Sequence, residues 1–261
     1  MSEYVLDSAT DLGRQQLGHL ERLLDEQTTS FIGAVAARPG HHCLDVGSGG
    51  GAVARWMAGR VAPTGSVVAV DVEDTHLDVP EDVTVYRHDI NDGLPVAGPF
   101  DVVHTRLLLM HLARRREILA ELAGALAPGG WLVVGDYVFS GDVRVLSAPS
   151  AADEELFRRI ILTTIDQVGR PGGIDYGWGD EIDAELGTVG LSDVDTIEYA
   201  HTADGGRDGM LLYGNYIAQV EEPLRSLGVS DAELRRFQEL VRDPRMRAWF
   251  FRFVCSRGRA T

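Results

Sequence analysis

Leu44-Asp45-Val46-Gly47-Ser48-Gly49-Gly50-Gly51-Ala52 is the stretch whose reading decides the fold. His42 to Val46 predicts a short strand and Ala52–Ala58 a helix, so the glycines occupy the sharp turn between them. Glycine adopts positive φ without steric cost and lets a ligand come close to the backbone. Gly47 to Ala52 also satisfies Gly-x-Gly-x-x-Gly/Ala, the dinucleotide fingerprint, which is weak evidence when it stands alone. Asp45 discriminates: standing two residues before the first glycine, it makes the pattern Asp-x-Gly-x-Gly-x-Gly.

Outward from this turn, short Val-rich runs alternate with helical segments. Strands are predicted at Ser66 to Val70, Val83 to Arg87, Phe100 to His104 and Trp131 to Gly135. A helix over about Arg114 to Leu126 and a turn at Pro128-Gly129-Gly130 precede the last of these. Runs that are apolar throughout belong to strands buried on both faces of a parallel sheet. Strand–helix alternation then implies right-handed crossovers and a doubly wound, Rossmann-like α/β sheet. Residues 8–38 predict an N-terminal helix closed by Pro39-Gly40. Later come helices near 151–168, 180–189, 209–227 and 231–241, a Gly-rich loop at 169–179, and strands at Val194–Tyr199 and Ala248–Cys255. Two late strands after a parallel array imply an antiparallel finish, giving a mostly parallel seven-stranded sheet with a helical cap. The expected organisation is a single domain over 1–261. It has a helical lid at 1–38, a cofactor core at 39–140, an acceptor-side cap with late sheet elements at 141–247 and a last strand at 248–261.

Asp71 ends its strand about twenty residues past the glycines, where a carboxylate can accept both hydroxyls of a ribose. Arg87-His88-Asp89-Ile90 ends the next strand. With Asp45 and the glycines, these positions resemble the motifs of class I methyltransferases that use S-adenosylmethionine (SAM). Phe100 to Leu112 and Leu119 to Val134 resemble that family's fourth strand, next helix and fifth strand. The resemblance covers about residues 30–137 and points to the branch of ubiquinone/menaquinone-type and natural-product enzymes. Residues 138–261 match in layout alone, and acceptor choice would be encoded there. The resemblance implies that Gly47, Ser48 and Gly49 lie under the methionine part of SAM. Asp45 would position the loop or a nearby amino group. Asp71 would take the ribose with Val72 beside the adenine, Asp89 the adenine amino group, and Ile90 the ring face.

Methyl transfer is an in-line displacement at a sulfonium carbon, and alignment alone can contribute roughly 7–11 kcal/mol. An oxygen or carbon acceptor must also lose a proton, and a histidine base near neutral pH contributes about 10²–10⁴-fold. Ligands of open α/β sheets lie at the carboxyl ends of strands. The candidates for proton transfer are therefore His111 first, then His104 and Asp136. Packing and helix capping are the structural alternatives for the histidines. Arg106 would orient a carboxylate of SAM or of the acceptor, or form a surface ion pair. Tyr137 would line the acceptor space, and Tyr4, Tyr213 and Tyr216 would close an aromatic lid. Aromatics at helical spacing are also what a core contains.

Composition narrows the partners. The formal net charge is −16 and no residue is lysine. Phosphate backbones are gripped by Lys and Arg, so nucleic acid is a poor partner and a small metabolite a better one. The absence of lysine excludes a lysine Schiff base and the lysine of a Walker-type loop. The Asn/Asp-Pro-Pro-Tyr/Phe of amino-methylating enzymes is replaced by His104-Thr105-Arg106-Leu107. No carboxylate cluster follows strand four, so no metal is expected. No run reaches the roughly 18 apolar residues of a membrane span. The first residues lack a signal peptide's pattern, and Cys43 and Cys255 show no disulfide spacing, so a cytoplasmic location is expected. The N-terminal helix and the cap could pair subunits into a homo-oligomer. Two other functions share part of the pattern. A nicotinamide-dependent oxidoreductase would use Gly47–Gly51 and Asp71 but leaves Asp45 and Asp89 unexplained. A SAM-binding protein that transfers no methyl would keep every cofactor residue.

Overall fold

The computed structural model describes residues 9–261. In chain order its elements begin with α1 (Asp11–Gly33), β1 (His42–Val46), α2 (Ala52–Val61), β2 (Ser66–Asp71), β3 (Thr84–Arg87) and β4 (Phe100–Arg106). They continue with α3 (Arg115–Gly124), β5 (Leu126–Val138), β6 (Val145–Ser147), α4 (Ala151–Thr164), α5 (Trp178–Thr188) and β7 (Ser192–Tyr199). The last are β8 (Thr202–Asp204), α6 (Asp208–Gln219), α7 (Glu221–Ser226), α8 (Asp231–Leu240), β9 (Arg247–Trp249) and β10 (Arg252–Arg259). Two compact units result, with boundaries after Leu23, Val138, Tyr176, Tyr199 and Arg252. None of the helices among the described residues is long and apolar enough to cross a membrane.

The unit of residues 24–138, 177–199 and 253–261 is built on a seven-stranded sheet ordered β3-β2-β1-β4-β5-β10-β7. β3, β2, β1, β4 and β5 pair in parallel. The reason lies in the sequence: Leu44, Val46, Val102, Val103, Leu132 and Val133 are all buried, which suits strands covered on both faces. β10 returns antiparallel beside β5: Gly129 N–H donates to Ala260 O and Ala260 N–H to Gly130 O, while Gly135 lies against Phe253 and Cys255. β7 pairs antiparallel on its far side, with Cys255 opposite Ile197. The doubly wound, mostly parallel sheet with an antiparallel last strand is the architecture expected from sequence. The order reverses between β1 and β4, since β1 leads out to β2 and β3 while β4 leads the other way to β5. In open α/β sheets a ligand crevice lies at such a switch point.

The other unit comprises residues 9–23, 139–176 and 200–252. It joins α4, α6, α7 and α8 to a small antiparallel sheet, β6-β9-β8. Its core is aromatic: Phe157 stacks on Phe237 at 5.2 Å and meets Tyr213 edge-on at 5.5 Å. Ser150 caps α4 by accepting the Asp153 N–H, and Ser230 and Glu233 form a capping box at the start of α8.

Three local expectations are corrected. The first helix stops at Gly33 rather than 38, because Ala37 takes φ 55°, outside right-handed helical space. The helix expected over 209–227 is two, α6 and α7, broken at Val220 ahead of Pro223, whose missing N–H suits only a first turn. The strand expected at Ala248–Cys255 is split between two sheets. Phe250 and Phe251 leave the ladder to join Tyr213 in the ring cluster, at 4.8 and 5.3 Å. Within 141–247, α5 and β7 belong to the large-sheet unit and the remaining elements to the other.

Candidate functional site

The glycine turn is fixed by backbone bonds. The N–H groups of Gly47 and Ser48 both donate to Val70 O of β2, at 2.8 and 3.2 Å. Ser48 Oγ donates back to Asp45 O at 2.9 Å, and Gly51 N–H to Ser48 O at 2.8 Å. Gly51 begins α2 at φ 83°, and a Cβ there would lie 2.7 Å from Val79 Cγ1 and 2.9 Å from Asp78 O. Any side chain would therefore push the 77–79 loop off the turn.

Asp71 closes the same corner from β2. Its Oδ2 accepts the Gly49 N–H at 2.7 Å and its Oδ1 the Glu73 N–H at 3.0 Å. Burial pushes its pKa up, and those two N–H groups pull against that shift. Val72 beside it is 59% exposed, a large apolar side chain left open to solvent. Arg87 of β3 supports this corner by donating to Val72 O and to Glu73 Oε2. The His88 N–H donates to Asp71 O, which places Asp89 just beyond the end of the adjacent strand. Asp89 is exposed and accepts from both the backbone and side-chain nitrogens of Asn91, and Ile90 is buried.

At the switch point Asp45 and His104 are register partners on β1 and β4. They are 1% and 2% exposed, and His104 Nδ1 lies 2.6 Å from Asp45 Oδ1. Arg106, two residues on, donates to Thr28 Oγ1 at 3.0 Å and to Asp25 Oδ1 at 2.8 Å on α1. Of the two roles expected for Arg106, the structure shows the ion pair, though a partly buried one. Asp25 and Thr28 are participants that the sequence reading passed over. No local pattern in the sequence marked them, since Glu21, Arg22 and Thr29 share their part of the helix; the structure shows Thr28 wholly buried.

His111 closes a short 3₁₀ turn, Leu109–His111, after β4. Burial, followed by the Arg115 charge, pushes its pKa down to about 4, so the ring is neutral near pH 7. Asp136 and Tyr137 are buried in β5, and Tyr137 meets Phe253 edge-on at 6.0 Å. Tyr213 belongs to the aromatic core of the other unit, with its hydroxyl donating to Trp249 O at 3.3 Å. Tyr216, also on α6, is half-buried, and Tyr4 lies outside the described residues. Among the described residues no group of three or more His, Cys, Asp or Glu side chains could hold a metal ion.

Comparison with known proteins falls on this same corner. A methyltransferase-domain family matches residues 44–134. Methyltransferase str2 of Strobilurus tenacellus is 34% identical over 95 residues, covering 36% of this chain and 34% of that protein. A ubiquinone/menaquinone biosynthesis C-methyltransferase of Ectopseudomonas mendocina is 32% identical over 136 residues, 48% of this chain and 52% of that one. The chain thus spans about a third to a half of the length of these relatives. The solved structure of the YcgJ protein from Bacillus subtilis shares the fold, with TM-score 0.59 at 15% identity over 90% of this chain and 98% of that one.

Proposed function

We propose that residues 44–134, which match a methyltransferase-domain family, form a SAM-binding domain of the class I type, and that the chain transfers a methyl group from SAM to a small-molecule acceptor. The observation that carries this reading is Asp71, a partly buried carboxylate at the end of β2 that is tied to the glycine turn. The residues fit the cofactor. Each Asp71 oxygen accepts one N–H and retains acceptor capacity for a ribose hydroxyl. Val72 offers the open apolar surface that an adenine ring would cover, and Asp89 supplies a carboxylate past β3.

When bound, SAM supplies a methyl group on a positively charged sulfur, already a good leaving group. The chain's contribution is alignment and exclusion of water. The glycine turn of Gly47, Ser48 and Gly49, braced by Val70 and Asp71, would present backbone to the ligand, with the Ser48 hydroxyl turned back onto Asp45 O. Asp45 bears on the ligand's positive end. We assign His111 as the group that accepts the acceptor's proton: its lowered pKa leaves a ring nitrogen unprotonated at neutral pH, at the cost of weaker basicity. Asp136 and Tyr137, past the middle of β5, belong to the acceptor side. His104 is better read as support for Asp45 than as a base, being fully buried and bonded to it. Tyr213 is better read as core than as lid. Acidity favours a small metabolite over nucleic acid, and two buried free cysteines suit a cytoplasmic location.

Incubation with methyl-labelled SAM and a small-molecule extract tests the proposal. It predicts label in a low-molecular-weight product and one S-adenosylhomocysteine per methyl transferred. Binding of NADH in place of SAM would overturn it. SAM binding with no labelled product from any extract would instead support a non-transferring role.

A further inference from the structure

Asp45 and His104 present an unusual arrangement. Two ionisable side chains are buried on adjacent strands at the switch point and bonded to each other through Nδ1 and Oδ1. The far atom of each, His104 Nε2 and Asp45 Oδ2, is buried with no hydrogen-bond partner. Buried polar atoms are almost always satisfied, so two such atoms on one bonded pair mark a retained role. The surroundings do not neutralise the pair. Arg106 on the same strand is taken by Asp25 and Thr28. On β2, Asp71 is close enough for the Asp45 charge to raise its pKa, and on β1 the Cys43 thiol is raised by burial and by Asp101 and Asp45. The pair also stands at the base of the glycine turn, since Asp45 O holds Ser48 Oγ and Gly47 follows two residues later.

We propose that His104 is a positioning residue that fixes the Asp45 carboxylate beneath the glycine turn and thereby sets how strongly the site prefers a sulfonium ligand to its neutral thioether. This rests on the reading of the corner as a SAM site. SAM and S-adenosylhomocysteine differ by one methyl group and one positive charge. A carboxylate held in one rotamer, away from water, acts on that charge through a low effective dielectric. A carboxylate free to turn toward solvent does so far less. The bond between His104 Nδ1 and Asp45 Oδ1, at 2.6 Å, supplies the fixed geometry.

The test is calorimetric titration of the full chain with SAM and with S-adenosylhomocysteine, in wild type, H104L, H104N and D45N. Asparagine places an amide donor where Nδ1 stands. The preference for SAM over S-adenosylhomocysteine is expected to fall roughly ten-fold in H104L and D45N, and to recover in H104N. A merely structural role would weaken both ligands by one factor and leave the ratio unchanged; that result overturns the inference and leaves the SAM site standing. Wild type that binds neither ligand overturns both. Should H104L not fold, the ratio in D45N and H104N decides: loss in the first with retention in the second supports the proposal, and equal ratios in both contradict it.

Discussion

Asp71 Oδ2 accepts the Gly49 N–H at 2.7 Å, so the carboxylate that ends β2 holds the turn that follows β1. One side chain thus shapes the loop and, on the proposed reading, would also meet the ligand. Substitution at Asp71 should therefore touch stability and binding together. Asp71→Ala is expected to cost about 1–3 kcal/mol in urea unfolding, the range for a lost hydrogen bond to a charged group, and to weaken SAM binding by tens-fold or more. Asp71→Asn, which keeps one acceptor oxygen, should recover part of each. Unfolding midpoints and calorimetry on the same samples check both effects, and an Asp71→Ala protein of unchanged affinity would remove Asp71 from the site.

The glycine turn makes a second, local prediction. Gly51 and Gly59 belong to one helical segment, yet their surroundings are opposite. At Gly51 a Cβ meets Val79 and Asp78 at positive φ, whereas at Gly59, exposed within α2, nothing lies within 4 Å. Gly51→Ala is expected to destabilise by about 2–4 kcal/mol, combining left-handed strain with overpacking. Gly59→Ala should stabilise by about 0.5–1 kcal/mol through helix propensity. Thermal denaturation of the two variants should therefore move in opposite directions.

The Arg106–Asp25 pair separates a structural role from a ligand-binding one. Both side chains are partly buried, so breaking the pair by Asp25→Asn should cost on the order of 1–3 kcal/mol. The affinity for SAM should change little, because Arg106 already has partners on α1. A large loss of SAM affinity in Asp25→Asn with a normal unfolding midpoint would return Arg106 to the ligand.

His111 predicts a pH dependence of stability. Its folded pKa of about 4 lies below the ordinary histidine value near 6.5, so between those values the unfolded chain binds more protons. Stability should be full above about pH 6.5 and decline as pH falls toward 4, by at most about 1.4 kcal/mol per pH unit in that window. Below the folded value the loss stops. Urea midpoints at pH 7.5 and pH 5 for wild type and His111→Asn check this. The wild type should lose more on acidification, and equal losses would show that His111 is not held neutral.

Much of this was legible in the sequence, for identifiable reasons. Val-rich runs such as Val67–Val70 can be buried on both faces, so the parallel sheet followed from composition and alternation. Asp45 and the glycines lie together in sequence, and local turn chemistry fixed their arrangement; Asp71, 22 residues from Gly49, reaches the turn through the parallel pairing of β1 with β2. The pairing of Asp45 with His104 did not follow, because residues 59 apart meet only through strand order. Arg106 and Asp25 are 81 apart and join through helix packing that no local pattern encodes. The break at Phe250-Phe251 was hidden because two adjacent aromatics suit a strand as well as they suit a ring cluster. Tyr213 carried the same ambiguity, and packing with Phe157 and Phe250 resolved it toward the core.

The central claim is that the corner formed by Asp45, the glycine turn and Asp71 binds SAM. Equilibrium titration of the full chain with SAM, and separately with NADH, tests it most directly. The account predicts saturable one-to-one binding of SAM, strongly weakened in Asp71→Ala, with no heat from NADH. Saturation by NADH with no response to SAM would contradict it.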